Sequence, residues 1–252
     1  MMKGQMFSSN IALRLGSMVL LQALLTGCLF SRGQRYEDFL TKTPLPESHF
    51  LILGFMGGRD SWRASNHLQR LTTKLRSMQQ PSLHVETVEN RKRGLALELI
   101  QKALDRNADG VLEAGERASA RLILYGQSFG GAAVVKLARQ LDKLRVPVLL
   151  TVQIDSVGRV DARIPPNVAR AAGLFQRNGV LISGEAPIVA EDPVKTTILG
   201  NFEFDYREKR IDISAVPWHK KIFREAHTKM EHDPEVWRKV EDLILREITS
   251  EL

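Results

Sequence analysis

The chain has few of the residues that would place it in a specialised class of protein. It contains one cysteine among 252 residues, so no disulfide can form within the chain. With 18 glycines, 10 prolines and a hydrophobic share of 43%, it lacks the composition of collagen-like and disordered chains. It also shows no internal repeat. These absences indicate an ordinary globular protein, and its length is typical of a single domain.

Neither the distribution of charge nor any nucleotide-binding motif indicates a nucleic acid or an organic cofactor as a partner. The formal charge of +7 arises from 36 basic and 29 acidic side chains, and no stripe of lysine and arginine with interleaved aromatic residues occurs. Nucleic acid is therefore not expected as a partner. Neither the GxGxxG nor the GxxxxGK[ST] pattern is present, so no organic cofactor is predicted.

Residues 1–27 have the pattern of a secretory signal peptide. Lys3 and Arg14 give a basic start without acidic residues, and a short apolar stretch follows. The stretch is about eleven residues long and would rise only about 16 Å as a helix, roughly half of a bilayer core. A permanent membrane span is therefore not predicted here.

The apolar stretch ends at Leu25-Thr26-Gly27-Cys28, which resembles the lipobox of bacterial lipoproteins. The resemblance implies cleavage before Cys28 and acylation of its thiol. The mature protein would then be lipid-anchored in the bacterial cell envelope, on the secreted side of a membrane. The alternative is that Cys28 is an incidental buried thiol.

Two regions follow the predicted signal peptide. Residues 28–47 are predicted to form a polar tether, because they contain Gly33, Pro44 and Pro46 and no sustained hydrophobic period. In residues 48–252, short apolar runs alternate with segments of helical period. This alternation predicts one domain of α/β fold with a mostly parallel central sheet flanked by helices. No topology is predicted for 157–217, where the pattern is less legible.

The predicted elements have approximate bounds. Strands are predicted at 50–53, 83–88, 122–125 and 146–154, with strand-like pieces at 180–182 and 196–199. Helices are predicted at 64–78, 95–104 and 130–141, and a final helix has Asp233 as N-cap and Pro234 as its first residue.

One motif places a serine between a predicted strand and a predicted helix. Gly126-Gln127-Ser128-Phe129-Gly130 has the GxSxG pattern, in which the serine stands on a sharp strand-to-helix turn. The positions two before and two after it must be small. The hydroxyl then projects beside the backbone N–H groups of a helix N-terminus. Ser128 is therefore the candidate nucleophile, and the alternative is a Gly-rich turn in which Ser128 only caps the helix.

With this motif in this context, residues 48–252 resemble the α/β-hydrolase superfamily, and its lipase and esterase branch most closely. In that branch an early strand ends in His-Gly followed by apolar and Gly residues, which carry one amide of the oxyanion hole. Here Leu53-Gly54-Phe55-Met56-Gly57-Gly58 matches this stretch, with leucine in place of histidine. The resemblance implies that the amides of Phe55, or of its neighbour Met56, and of Phe129 stabilise the oxyanion.

A serine nucleophile needs a base that removes its proton and an acid that orients the base. In the superfamily the chain order is Ser, acid, His, so the resemblance leaves His219, His227 and His232 as candidate bases. His227 is preferred, because it lies in a polar loop shortly before the last helix, where the superfamily places its base.

Asp155 and Asp192 are the candidate acids. Asp155 closes the predicted strand 146–154, and a charge at the end of a buried strand needs a partner. Usually the superfamily takes its acid after the following strand, although some lipases take it from this earlier position. Asp192 follows that strand but lies in Glu191-Asp192-Pro193, which is typical of a turn. Asp155 is therefore preferred.

A second motif, at 105–116, matches the ligand loop of an EF-hand. The oxygen ligands would come from Asp105, Asn107, Asp109, the Val111 carbonyl, Glu113 and Glu116, with Gly110 at the sharp turn. The outgoing helix is short and no second loop exists to pair with this one. The pattern predicts a structural Ca²⁺ site that stabilises the loop before the strand leading to Ser128. An acidic turn without metal is the alternative.

Together these features predict a membrane-anchored serine hydrolase that cleaves an ester or related acyl bond of a small molecule or a lipid. Ser128 would attack, His227 would transfer the proton and Asp155 would orient the imidazole. The alternative is a non-catalytic lipoprotein that uses the same fold as a calcium-stabilised binding or scaffolding body. Fold alone does not separate these two functions.

Overall fold

The structure is a computed structural model that describes residues 33–179 and 187–251, without the side chains of residues 219–223. The predicted signal peptide, Cys28 and the strand-like piece at 180–182 lie outside the described residues. Within the described ranges, no helix combines the length and the apolar character that crossing a membrane requires.

A six-stranded parallel sheet forms the centre of the fold. In chain order the strands are β1 (Phe50–Met56), β2 (Leu83–Glu89), β3 (Arg121–Gln127), β4 (Val148–Ile154), β5 (Arg163–Ile164), β6 (Val168–Gln176), β7 (Val189–Ala190) and β8 (Thr197–Phe204). The order across the central sheet is β2-β1-β3-β4-β6-β8, and each neighbouring pair is parallel. The strands β5 and β7 pair separately. All carboxyl ends of the central strands therefore meet at one edge.

Helices cover both faces of this sheet. They are α1 (His67–Ser77), α2 (Arg93–Leu104), α3 (Ala114–Ala118), α4 (Phe129–Lys143), α5 (Trp218–His232) and α6 (Pro234–Ser250). One buried hydrophobic cluster contains side chains from α2 and α4, and a second contains side chains from α1, α5 and α6. Because both faces are covered, β1 is buried along its whole length. The α/β fold with a mostly parallel sheet is confirmed.

The last helix begins as its sequence predicts. The carboxylate of Asp233 accepts a hydrogen bond from the amide of Glu235 at 2.9 Å, and Pro234 is the first helical residue. The apolar stripe of α6 is buried against the sheet; it comprises Val236, Val240, Leu243, Ile244 and Ile248. Capping and burial therefore agree along this element.

The segment before β1 differs from the tether predicted at 28–47. The side-chain amide of Gln34 donates to the carbonyl of Thr87 at 2.7 Å, and the side chains of Phe39 and Leu45 belong to a hydrophobic core cluster. The folded unit therefore begins at Gln34. The polar composition did not reveal this packing, because two isolated apolar side chains produce no hydrophobic period.

Candidate active site

Ser128 lies where the chain passes from β3 into α4. Its φ of 57° and ψ of −125° fall outside the regions that residues with a Cβ atom favour, and such strain costs of order 1–3 kcal/mol. The amide of Ser128 donates to the carbonyl of Ile154 on β4 at 2.8 Å. Its carbonyl accepts from the amides of Gly131 at 3.0 Å and Val157 at 3.1 Å. The surrounding backbone therefore fixes the serine in a strained conformation at the carboxyl edge of the sheet.

Two glycines provide the space that this turn needs. A Cβ atom at Gly126 would lie 2.4 Å from the backbone of Gly130, and one at Gly130 would lie 2.0 Å from the carbonyl oxygen of Phe55. Both distances are too short for any side chain. Small residues two before and two after Ser128 are therefore a steric requirement of this turn.

Asp155 and His227 form a buried pair beside the turn. Nδ1 of His227 lies 2.5 Å from Oδ2 of Asp155, and the two side chains are 5% and 1% exposed. An ionised carboxylate only accepts hydrogen bonds, so Nδ1–H donates. Asp155 also accepts from the backbone amide of Gln176 at 3.3 Å and from its Nε2 at 3.2 Å. This arrangement orients the imidazole and leaves Nε2 on the side of the ring away from Asp155.

Ser128 and His227 border the same cavity, which has a volume of about 360 Å³. The described residues that line it belong to the turn after β1, to the strand-to-helix turn around Ser128 and to α5. The side chain of Ser128 makes no capping hydrogen bond with α4, so the alternative of a simple cap does not hold. The hydroxyl also has no hydrogen-bond partner among the described residues, and it is available to a bound molecule.

Two further cavities, of about 410 and 740 Å³, lie elsewhere in the described structure. Neither has a serine, cysteine or histidine among its described lining residues. The cavity beside Ser128 is therefore the better candidate for nucleophilic chemistry, although it is smaller.

Asp192, the alternative acid, and His232, one of the two alternative bases, make other contacts. Nδ1 of His232 donates to the carbonyl of Thr228 at 2.9 Å, within α5. Asp192 accepts from the amide of Val194 at 3.0 Å in a turn, as expected for a turn residue. The side chain of His219 lies outside the described ones. The structure pairs Asp155 with His227 and places Ser128 and His227 on the same cavity, without a hydrogen bond between the Ser128 hydroxyl and the imidazole.

The predicted loop around His227 is instead part of the helix α5. This helix is interrupted at Arg224, whose φ of −145° and ψ of 36° are not helical. Its buried apolar residues after the break, Ala226 and Met230, are separated by polar and charged side chains. The helical period is therefore too weak to be recognised in the sequence.

The resemblance assigns the amides of Phe55 and Phe129 to the oxyanion hole. The two residues differ in their position relative to the cavity. Phe129 is the first residue of α4, borders the cavity and is 50% exposed. Phe55 lies inside β1, aligned with Gly126 of β3, and is fully buried. It is not among the described lining residues. The role of its amide stays a prediction.

The turn after β1 brings other backbone amides to the cavity. Gly57 and Gly58 both line it. Nδ2 of Asn90 donates to the carbonyls of Met56 at 2.9 Å and Gly58 at 2.7 Å, which holds the turn in place. Gly57 also packs closely on Gln127, whose side-chain oxygen would lie 2.2 Å from a Cβ atom at position 57. These two glycines are further candidates for an oxyanion donor.

The EF-hand-like loop is closed by its own backbone amides. The carboxylate of Asp105 accepts from the amides of Asp109 at 3.2 Å and Gly110 at 2.9 Å. Asn107 accepts from the amide of Asp109 at 3.1 Å. Gly110 has a φ of 83°, as its place at the sharp turn predicts. The loop therefore turns sharply at Gly110, the position at which the sequence motif predicts the turn.

Glu116, the last predicted ligand of the loop, accepts hydrogen bonds from two backbone amides. The Glu116 carboxylate accepts from the amides of Glu113 at 3.0 Å and Arg106 at 2.7 Å, and these bonds lower its pKa. In residues 33–179 and 187–251, no group of three or more His, Cys, Asp or Glu side chains is arranged to hold a metal. As they stand, the carboxylates of this loop do not converge on one point, so the Ca²⁺ site stays a prediction.

Some contributors to the site were not identified from the sequence. Gln176 is the last residue of β6 and contacts Asp155 because β6 and β4 are neighbours. Arg224 and Glu231 line the cavity and are spaced three and four residues from His227. That spacing is a recognisable signal once the segment is known to be helical.

No protein-family model matches the chain, and no curated protein matches it in sequence.

Proposed function

We propose that this protein is a serine hydrolase of α/β-hydrolase type that cleaves an ester or related acyl bond. The observation that carries the proposal is the buried Asp155–His227 pair at 2.5 Å, whose imidazole borders the same cavity as Ser128. A carboxylate that orients an imidazole beside an available serine is the arrangement that nucleophilic acyl transfer needs. The chain order Ser128, Asp155, His227 is the order of the superfamily.

The proposed reaction proceeds through an acyl-enzyme. Nε2 of His227 takes the proton of Ser128 while Oγ forms a bond to the carbonyl carbon of the substrate. Asp155 keeps the proton on Nδ1, so that Nε2 is the basic nitrogen, and stabilises the imidazolium that forms. The proton then passes to the leaving alcohol as its bond to carbon breaks. Water, activated by the same imidazole, hydrolyses the acyl-enzyme.

The negative charge of the tetrahedral intermediate needs hydrogen-bond donors beside Ser128. The amide of Phe129 stands at the N-terminus of α4, where the helix dipole also favours negative charge. A second amide would come from the end of β1 or the turn after it, from Phe55 as the resemblance implies or from Gly57 or Gly58.

Backbone strain supports catalysis over the binding or scaffolding alternative. Seven described non-glycine residues have positive φ, and two of them belong to the candidate triad: Ser128 at 57° and Asp155 at 42°. Strain of this kind persists where the surrounding structure imposes it, and it concentrates at functional sites. A scaffold would gain stability by replacing these two residues with glycine, whereas an enzyme needs both side chains.

The proposal also includes two features of the whole chain that come from sequence patterns. Acylation of Cys28 would anchor the protein in the bacterial cell envelope, and one Ca²⁺ ion would bind the loop 105–116 as a structural ion. Asp105, Asn107, Asp109, Val111, Glu113 and Glu116 would supply its oxygen ligands.

Hydrolysis of p-nitrophenyl acetate tests the enzymatic proposal. We expect Ser128→Ala to lower kcat/KM by at least about a thousandfold, because the nucleophile is lost. Ser77→Ala is the matched control, since Ser77 is an exposed serine at the end of α1. Wild-type turnover that persists in Ser128→Ala would contradict the proposal. The absence of Ser128-dependent turnover would favour the scaffolding alternative.

A further inference from the structure

The cavity beside Ser128 has a polar lining. Phe129 is the one large apolar side chain among its described lining residues, and the others are glycines or carry polar or charged groups. A site for a long acyl chain is lined mainly by hydrophobic side chains, because burial of apolar surface drives such binding. The volume of about 360 Å³ lies near the lower end of the range for small-molecule sites. Both properties favour a small, polar substrate.

Two arginines of the lining have no ion-pair partner among the described residues. Arg224 is half-buried and Arg59 is exposed. By contrast, Arg76 and Arg170 elsewhere in the fold lie 2.8 and 2.5 Å from glutamate oxygens. A guanidinium carries five N–H donors in a planar fork that matches a carboxylate or a phosphate. An unpaired one beside the nucleophile is therefore suited to bind an anionic group.

The backbone places Arg224 close to the chemistry. It stands at the break in α5, three residues before His227, and both side chains line the same cavity. One bound molecule can therefore contact Arg224 with an anionic group while Ser128 attacks its carbonyl. Arg59 lies on the turn after β1, so the two cations approach the cavity from different elements.

The lining also holds two carboxylates, so its formal charge is zero with histidine neutral, but neither carboxylate forms an ion pair with a described residue. Asp60 accepts a hydrogen bond from Asn66 at 3.4 Å. Glu231 follows His227 by four residues and lines the cavity, yet it makes no ion pair with a described residue. Arg224 and Glu231 are therefore held apart in one cavity, and Glu231 would repel an anion that Arg224 attracts.

We propose that the substrate is a small polar acyl ester with an anionic group on its acyl part, and that Arg224 determines this specificity. The proposal rests on the proposed function, because it names the substrate class of the same site. Arg224 binds the anion beside the oxyanion hole, and Arg59 attracts it at the rim of the cavity. Long neutral acyl chains are poor substrates, since Phe129 is the one large apolar side chain that the described lining offers them.

The experiment compares two esters that differ in one charge. Mono-p-nitrophenyl adipate carries a terminal carboxylate, and p-nitrophenyl hexanoate has the same acyl length without it. We expect wild type to have the higher kcat/KM for the adipate ester. Arg224→Gln should lower the adipate-to-hexanoate ratio by about tenfold to a hundredfold, the effect of losing a hydrogen bond between charged groups.

Three further variants test whether the change in the adipate-to-hexanoate ratio is specific to the side chain of Arg224. Arg224→Lys keeps the charge but loses the planar fork, and its ratio should lie between those of wild type and Arg224→Gln. Glu231→Gln should raise the ratio by removing repulsion. Arg63→Gln is the matched control, since Arg63 lies outside the described lining and pairs with Asp38. It should leave the ratio unchanged.

The measurements distinguish a failure of the proposed substrate specificity from a failure of the proposed hydrolase function. Ser128-dependent hydrolysis with an equal or higher kcat/KM for hexanoate, or with a ratio that Arg224→Gln does not change, would overturn the specificity and leave the hydrolase intact. Absence of Ser128-dependent hydrolysis of either ester overturns both. If the specificity holds, inhibition by free succinate but not by inorganic phosphate identifies a carboxylate, and the reverse identifies a phosphate.

Discussion

At the scale of single residues, the site depends on one strained serine. Ser128 keeps φ at 57° because its amide and carbonyl are bound to β4 and to the residues after the turn. Glycine adopts this conformation without strain, so any other residue here lowers the stability of the fold. The turn itself therefore does not require serine, and on the proposed function position 128 needs its hydroxyl.

This argument predicts opposite effects of one substitution on stability and activity. Ser128→Gly should raise the free energy of unfolding by about 1 kcal/mol, because it relieves the strain, and it should abolish hydrolysis. Ser128→Ala keeps the Cβ atom and should abolish hydrolysis with little change in stability. Urea denaturation of the three proteins checks this; a Ser128→Gly variant less stable than Ser128→Ala would show that the turn is not strained.

The residues of the candidate triad were predictable, whereas their surroundings were not. Ser128 was predicted from its GxSxG motif between a predicted strand and a predicted helix, and Asp155 because it closes the predicted strand 146–154. His227 was found through the chain order that the resemblance implies. The contacts of Gln176 and Arg224 depend on strand pairing and on a break in a helix, which no local pattern in the sequence shows.

At the scale of elements, the position of α4 against β1 shapes the turn. The helix begins so close to the strand that the Cα atom of Gly130 faces the carbonyl of Phe55. No side chain fits between them. The N-terminus of α4 therefore lies next to the end of β1, which is the location that a shared oxyanion site needs.

Two glycine-to-alanine variants test this close approach. Gly130→Ala should lower the free energy of unfolding by about 1–3 kcal/mol or more, because the methyl group would overlap the backbone of β1. Gly94→Ala lies in α2 with open space around it, and should raise stability by about 0.5–1 kcal/mol. Thermal unfolding of both variants is the measurement, and equal stability of the two would refute the packing.

The loop at 105–116 provides a second prediction at this scale. If it binds Ca²⁺, the ion draws Glu116 toward Asp105 and Asp109, and millimolar calcium raises the Tm relative to the protein in EDTA. Asp109→Asn should reduce this shift. Asp192→Asn, which changes a turn carboxylate outside the loop, should leave it intact. A Tm that responds to neither calcium nor chelation would exclude the metal.

Most elements were predicted within a few residues of their bounds, and the exceptions have a common cause. The predicted strands and helices are recognisable because their buried residues form apolar runs or recur with a regular period. By contrast, β6 of the central sheet was not predicted, because its alanines, its glycine and Arg170 form neither pattern. The segment before β1 packs through isolated apolar residues, and α5 has few apolar residues after its break. Burial without periodicity leaves no signal in the sequence.

At the scale of the whole molecule, the chain combines a folded unit from Gln34 with a leader that has the pattern of a lipoprotein signal. Only five residues lie between Cys28 and Gln34, fewer than in the tether predicted at 28–47. An acylated Cys28 would therefore hold the folded unit close to the membrane surface.

Detergent phase partitioning of the expressed protein tests this anchoring. The wild type should enter the detergent phase, because acyl chains bind micelles, and Cys28→Ser should stay in the aqueous phase. Ser31→Ala changes a nearby residue and keeps the cysteine, so it should partition like the wild type. Aqueous partitioning of all three proteins would exclude a lipid anchor.

The most direct measurement is the reaction of the protein with a fluorophosphonate, followed by mass spectrometry of its peptides. We predict one covalent phosphonyl adduct per chain, located on Ser128, and a strong reduction of the labelling rate in His227→Gln, because the base is lost. An intact, folded protein that forms no adduct, or that forms it on a different serine, would contradict the assignment of Ser128, His227 and Asp155 as a catalytic triad.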